Sequence, residues 1–165
     1  MKPRVYLETT IPSYLTAWPS RDVVRLGHQQ ATRDWWVQRG EFELVVSQLV
    51  VNECQRGDPT AALERMKVLE GIPLLDQPEV VDALAGALIR DVPLPPKATI
   101  DAFHIALSAS HGLQYLLTWN CTHIANATLR GRIEKTCRAF GFEPPLIVTP
   151  IELMPRPMPD PEEDL

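Results

Sequence analysis

The chain reads as an α/β protein, a three-layer α/β/α sandwich around a mostly parallel central sheet. Two features predict this. Short apolar runs alternate with helical patterns from end to end, the signature of βαβ units. Residues 98–126 show one such unit most clearly. There a helix rich in Ala, Ile and Leu is apolar nearly all round, so it belongs in a buried layer. His111-Gly112 stops it, because Gly enters the left-handed C-cap conformation freely. Leu113 to Trp119 then has the continuous apolar content of a central parallel strand.

Arg4 to Leu7 is a short strand running into Glu8-Thr9-Thr10, and Pro12 sits near the start of the next helix, where its missing N–H does no harm. Residues 21–38 form an amphipathic helix with Val24, Ala31, Trp35 and Trp36 as its expected buried set. Gly40 ends it, and Phe42 to Val46 is a second strand. Ser47 is a suitable N-cap for the helix carrying Leu49, Val50, Val51 and Cys54, with Glu53 six residues beyond the cap. A helix from Pro59 to Glu70, a short strand over Ile72 to Leu75 and a helix from Pro78 to Arg90 follow. The Pro-rich link 91–97 leads into the 98–126 unit. A helix is expected over residues 121–140, divided near Gly131, then a strand at Leu146-Ile147-Val148 and a turn at Thr149-Pro150.

Composition bounds the possibilities. At 165 residues one domain is expected, burying roughly two thirds of the surface of the unfolded chain. Residues 1–154 form that domain. Residues 155–165 hold one Arg and four acids, a net −3 of the overall −5, and this Pro-rich acidic tail is expected to be disordered or draped. Cys54, Cys121 and Cys137 are odd in number with no CxxC pair, which argues against a zinc site or disulfide framework and for a reducing, cytoplasmic setting. No apolar run approaches a membrane span, and the N-terminus lacks a signal peptide's apolar region. GxGxxG, P-loop and GxSxG motifs are missing, which leaves nucleotide-dependent and serine-hydrolase readings without a foothold.

Most of the 21 acids need no explanation beyond solvation. Glu8 and Asp101 differ because their surroundings are expected to be buried, where a lone carboxylate neutralises or requires a partner. For Asp101 the alternative is a helix N-terminal residue favouring the dipole. Glu8 and Asn120 both stand at carboxyl ends of strands, where open α/β sheets place their ligands. Carboxylates gathered at such an edge suit a hard divalent cation.

These residues resemble the PIN domain family, whose best-populated branch is the ribonuclease toxin of VapBC toxin–antitoxin pairs. The resemblance covers about residues 4–153. Val5-Tyr6-Leu7-Glu8-Thr9-Thr10 is similar to the opening strand, which ends in an acid and small hydroxyl residues. Ser47 to Glu53 is similar to the second acidic element, Asp101 to Leu107 to the third, and Leu116-Leu117-Thr118-Trp119-Asn120 to the fourth. The family usually has Asp where this chain has Glu8 and Asn120. The first change keeps the charge on a longer side chain; the second keeps one carbonyl oxygen and loses the charge.

The resemblance implies metal-assisted phosphodiester hydrolysis with Mg²⁺ or Mn²⁺. Glu8, Glu53 and Asp101 are then the metal-facing acids, Asn120 the fourth catalytic position, and Thr9 and Thr118 hydrogen-bond partners of that set. Both threonines also suit strand ends simply as β-formers. It further implies single-stranded RNA as substrate, aided by Lys97, Arg130, Arg132 and a stacking Trp119, with a small antitoxin partner and a homodimer. His123 is either a phosphate contact or an N-terminal cap of its helix. His104 is expected as a satisfied histidine inside the helix layer, His111 as a C-terminal residue favouring the dipole, and Cys54 and Cys121 as small buried hydrophobes. A second reading is a PIN-like protein with a weakened site that binds RNA or a protein without cutting; Asn120 separates the two.

Overall fold

The structure, a computed structural model, describes residues 1–157. Its centre is a four-stranded, wholly parallel sheet in the order β2-β1-β3-β4, made of β1 (Arg4–Leu7), β2 (Glu43–Val45), β3 (Tyr115–Leu117) and β4 (Leu146–Val148). Tyr6 pairs with Val45 on one side and Leu116 on the other. Val5, Tyr6, Leu7, Leu116 and Leu117 are all fully buried. Successive residues of a strand face opposite ways, so both faces of the sheet are covered.

The helices are α1 (Thr10–Thr16), α2 (Val23–Val37), α3 (Gln48–Cys54), α4 (Pro59–Leu69), α5 (Glu79–Asp91), α6 (Thr99–Ser110) and α7 (Ala127–Ala139). α1 packs on α2, and α5 packs on α6 and α7. The two faces are told apart by neighbouring residues. Tyr6 reaches His104 of α6, whereas the indole of Trp119 reaches Thr32 of α2. The α/β sandwich expected from the alternation is therefore the architecture found.

Local signals placed most elements well. Ser47 caps α3 by accepting the Val50 N–H at 3.4 Å, and Asp58 caps α4 by accepting from Ala61. Gly112 takes φ +62 after α6, a conformation a side chain resists. Four expectations fail. The run 72–75 makes only an isolated bridge, Val46 to Leu74. Pro73 has no N–H to give a ladder. Residues 121–125 form turns rather than continuous helix: the Ile124 N–H makes one helix-like bond to the Asn120 carbonyl, but the Ala125 N–H returns to that same carbonyl instead of advancing to Cys121. Asn126 then caps α7, which runs through Gly131 without a break. Along α2 the buried residues are Gln29, Thr32 and Trp35, while Ala31 and Trp36 are half-buried and Val24 is 61% exposed. The apolar count misplaced that stripe because Gln29 and Thr32 enter the interior carrying hydrogen bonds to Trp18 and His28 carbonyls.

The beginning of the acidic tail is tied to the body. Arg156 pairs with Glu41 at 2.8 Å, and the Gln38 amide donates to the Arg156 carbonyl. Residues 158–165 of that expected disordered segment lie outside the described residues.

Leu116, on an interior strand, tests the core directly. Leu116→Ala is expected to lower stability by about 2–5 kcal/mol through lost burial and the cavity left behind. Val24→Ala on the open face of α2 is expected to change it by less than about 0.5 kcal/mol. Urea unfolding of both variants checks the contrast.

Candidate active site

In an order β2-β1-β3-β4 the chain leaves β1 toward one edge and later returns to lay β3 on the other side. The carboxyl ends of β1 and β3 flank this reversal, the place where parallel sheets leave a crevice for ligands. Glu8 follows β1 directly, and its N–H continues the ladder to the Leu117 carbonyl at 3.1 Å. Thr118, Trp119 and Asn120 follow β3.

Glu8 is only 3% exposed. Its Oε2 accepts the Thr10 N–H at the start of α1 at 2.7 Å, and its Oε1 accepts the Thr118 hydroxyl at 3.1 Å. Burial pushes its carboxyl pKa above the ordinary range, against the opposing pull of His104 and of these hydrogen bonds. The acid at the centre of the crevice is thus held by donors in a setting where burial still disfavours its charge.

Glu53 comes from α3 and is 26% exposed. Its Oε1 accepts the Thr9 hydroxyl at 2.6 Å and lies 2.8 Å from His104 Nε2. Burial works against its charge, but the His104 and Thr9 bonds outweigh that and hold its pKa low. His104 is 1% exposed. Its Nδ1 lies 2.6 Å from the Tyr6 hydroxyl, which lies 2.7 Å from Ser47 Oγ. The satisfied interior histidine expected from the sequence is found, and its partners are a site acid and the strand beneath that acid. No local pattern could have supplied those partners, since they are separated by 51 and 98 positions.

Asp101, one turn before His104 on α6, is 20% exposed rather than buried. Its Oδ2 lies 3.0 Å from His123 Nδ1. His123 in turn donates its backbone N–H to Asn120 Oδ1 at 3.0 Å, and Asn120 donates its own N–H to Thr118 Oγ1 at 2.9 Å. Glu8, Thr118, Asn120, His123 and Asp101 therefore form one connected line, with Glu53, Thr9 and His104 beside it. His123 lies ahead of the α7 cap formed by Asn126, so its ring serves Asp101 and not the helix end.

Two expectations are corrected. Trp119 is 7% exposed, stacked on His28 at 4.0 Å with Tyr14 at 6.0 Å, and its indole N–H donates to Thr32 at 2.7 Å. It pins α1 and α2 to the strand end and offers no open face to a base. Cys121 is exposed, in the turn after β3. Cys54 is buried, and burial pushes its thiol up to about 11, so it stays protonated. Lys97, Arg130 and Arg132 are exposed.

Among the described residues no three His, Cys, Asp or Glu side chains are gathered as a metal cluster. The donor chemistry nevertheless fits a hard cation. Mg²⁺ is commonly held by one or two carboxylates and keeps several waters; Glu8 is a buried carboxyl whose ionised form is disfavoured, and Glu53 Oε2 carries no protein hydrogen bond among the described residues. Neither a protein-family model nor a curated protein sequence matches the chain.

The raised Glu8 pKa has a definite sign in stability. A carboxyl whose folded pKa exceeds the unfolded one weakens the fold as pH rises through the unfolded value. Glu8→Gln removes that charge and keeps an oxygen for Thr10. The metal-free variant is expected to melt about 2–4 °C above the parent at pH 8, a gain of about 1 kcal/mol. The difference narrows as pH falls into the ordinary carboxylate range. Thermal melts of both proteins across that pH span check it, and equal melting at pH 8 would show that the charge is not the burden.

Proposed function

We propose that this protein is a Mg²⁺- or Mn²⁺-dependent ribonuclease of the PIN type that hydrolyses phosphodiester bonds of single-stranded RNA. Glu8, Glu53 and Asp101 are its metal-facing acids. What supports the reading is the buried carboxyl of Glu8 at the sheet reversal, its ionised form disfavoured by burial; Glu53 of α3 and Asp101 of α6 are each held by a histidine, and their approach to a shared cation is part of the proposal. A bound cation neutralises such carboxylates and lowers the pKa of an attacking water.

The protein's own groups have separable tasks. Thr10 N–H and the Thr118 hydroxyl orient Glu8, while Thr9 and His104 orient Glu53. His123 holds Asp101, and Asn120 sets the turn that carries His123. Exposed Lys97, Arg130 and Arg132 supply cationic surface for an RNA backbone. Membership of a toxin–antitoxin pair, with a small antitoxin and a cytoplasmic homodimer, belongs to the same proposal. Exposed apolar Trp18, Val23, Val24 and Val37 support an oligomeric form. No helix among the described residues is long and apolar enough to cross a membrane.

One observation favours the non-cleaving alternative. Asn120 is uncharged and its side-chain oxygen is already engaged by the His123 N–H, so this corner contributes no anion to a second cation.

Asn120→Asp separates the two, because it adds a charge and keeps the oxygen that His123 uses. On the ribonuclease reading, Mn²⁺ at about 100 times its Kd stabilises the parent by about 2.7 kcal/mol, a melting shift of about 5–10 °C. Asn120→Asp reaches the same shift, and cleaves a fluorescent single-stranded RNA, at lower Mn²⁺; Asp101→Asn loses both. Absence of a Mn²⁺ shift in the parent and in Asn120→Asp would leave only the non-cleaving reading.

A further inference from the structure

Beneath the acids lies a run of buried hydrogen-bonding side chains that closes on a single helix. Ser47 opens α3 and Glu53 lies near its end, and between them the run passes through β1 and α6: Ser47 Oγ to Tyr6 OH at 2.7 Å, Tyr6 OH to His104 Nδ1 at 2.6 Å, His104 Nε2 to Glu53 Oε1 at 2.8 Å. Ser47, Tyr6 and His104 are all at least nine-tenths buried. No solvent is at hand to satisfy a proton left without an acceptor, so the protons must be distributed consistently along the run.

With one proton on the imidazole ring, only one distribution does this. Ser47 Oγ already accepts the Val50 N–H in capping α3, and its own proton has the Tyr6 oxygen as its acceptor. Tyr6 keeps its proton, since burial raises its pKa far above neutrality, and gives that proton to His104 Nδ1. Nδ1 must then be the bare ring nitrogen, which puts the histidine proton on Nε2, facing Glu53 Oε1. The reverse direction requires Nδ1–H to donate to Tyr6 and Tyr6 to donate to Ser47. It strands the Ser47 proton with no acceptor among the described residues.

We propose that His104 is a positioning residue for Glu53, acting as an Nε2–H donor whose ring orientation and proton placement are set by Tyr6 and, through it, by the Ser47 cap of α3. The consequence for the site rests on the ribonuclease reading above. His104 and Thr9 both bond to Oε1, so Oε2 of Glu53 is left free of protein hydrogen bonds among the described residues and is the oxygen available to a cation. The cap that starts α3 and the acid near its end are thereby fixed by one continuous set of bonds. Loosening His104 frees the Glu53 side chain to turn without unfolding the helix. Partners of this kind, one step behind a metal ligand, typically change metal affinity by about 10–100-fold when removed.

The test uses the full chain and two readouts other than cleavage. Long-range ¹H–¹⁵N correlation spectra of the imidazole nitrogens report the tautomer of His104, and calorimetry with Mn²⁺ alone reports affinity. The parent is expected to show a bare Nδ1 and a protonated Nε2 at neutral pH. Tyr6→Phe removes the donor to Nδ1, and the single-tautomer signature is expected to be lost, with Mn²⁺ binding weakened about tenfold or more. His104→Leu weakens binding as much or more, while His104→Gln, whose amide N–H falls near the position of Nε2, recovers most of the affinity. A parent spectrum with Nδ1 protonated overturns the proposal without any variant. So does a Tyr6→Phe protein with an unchanged spectrum, or a His104→Leu protein that binds Mn²⁺ like the parent. If the parent binds no Mn²⁺, the ribonuclease reading falls separately. The positioning of Glu53 by His104 is then decided by the spectra: it stands if Tyr6→Phe breaks the Nε2–H tautomer and falls if it does not.

Discussion

Closing a parallel sheet on both faces leaves polar groups at its strand ends with little water, and this burial governs the candidate site. Tyr6 faces the α6 layer from the middle of β1, and Glu8 follows two residues later on the same side. Both are shut off from solvent. Each must find hydrogen-bond partners within the protein. The partners come from every element meeting there: Thr10 from α1, Ser47 from the head of α3, His104 from α6 and Thr118 from beyond β3. The hydroxyl residues around the acids are thus required by desolvation before any chemistry is considered.

The same burial divides the acids by electrostatic character. Glu8 carries a carboxyl whose ionised form is disfavoured, whereas Glu53 has its ionised form favoured by His104 and Thr9. Asp101 stays partly open to water with His123 as its partner. Carboxyls in three different environments would not act interchangeably on a cation. A positive ion offsets most where desolvation is largest, at Glu8. A buried carboxyl such as Glu8 weakens a fold unless a ligand compensates, a strain that functional sites commonly retain.

On the opposite face an aromatic stack performs the mechanical counterpart. Trp119 lies between His28 and Tyr14, its backbone N–H is held by the Thr10 hydroxyl, and its indole N–H by Thr32. The two residues flanking it, Thr118 and Asn120, both belong to the line of bonds that reaches Asp101. The end of β3 is therefore clamped from the α1–α2 layer while its polar side chains serve the crevice. A tryptophan beside site residues in sequence is an anchor here because alternate residues leave a strand end toward opposite layers.

Much of the architecture was legible from the residues alone, because it is written in local chemistry. The apolar run at β3, the Ser47 cap, the left-handed Gly112 and the placement of Glu8 after β1 all follow from side chains acting on their own few neighbours. The α/β sandwich follows from their alternation. The apolar pattern failed where polar or proline residues of the same or nearby segments overruled it. Pro73 left the run 72–75 as a single bridge, polar Gln29 and Thr32 entered the interior of α2, and the Asn120 carbonyl drew residues 121–125 into turns. The pairing of Asp101 with His123 and of His104 with Glu53 and Tyr6 belongs wholly to the tertiary structure. Those partners stand 22, 51 and 98 positions apart. Periodicity fixes which way a side chain faces, but the order in which strands join the sheet fixes what it meets.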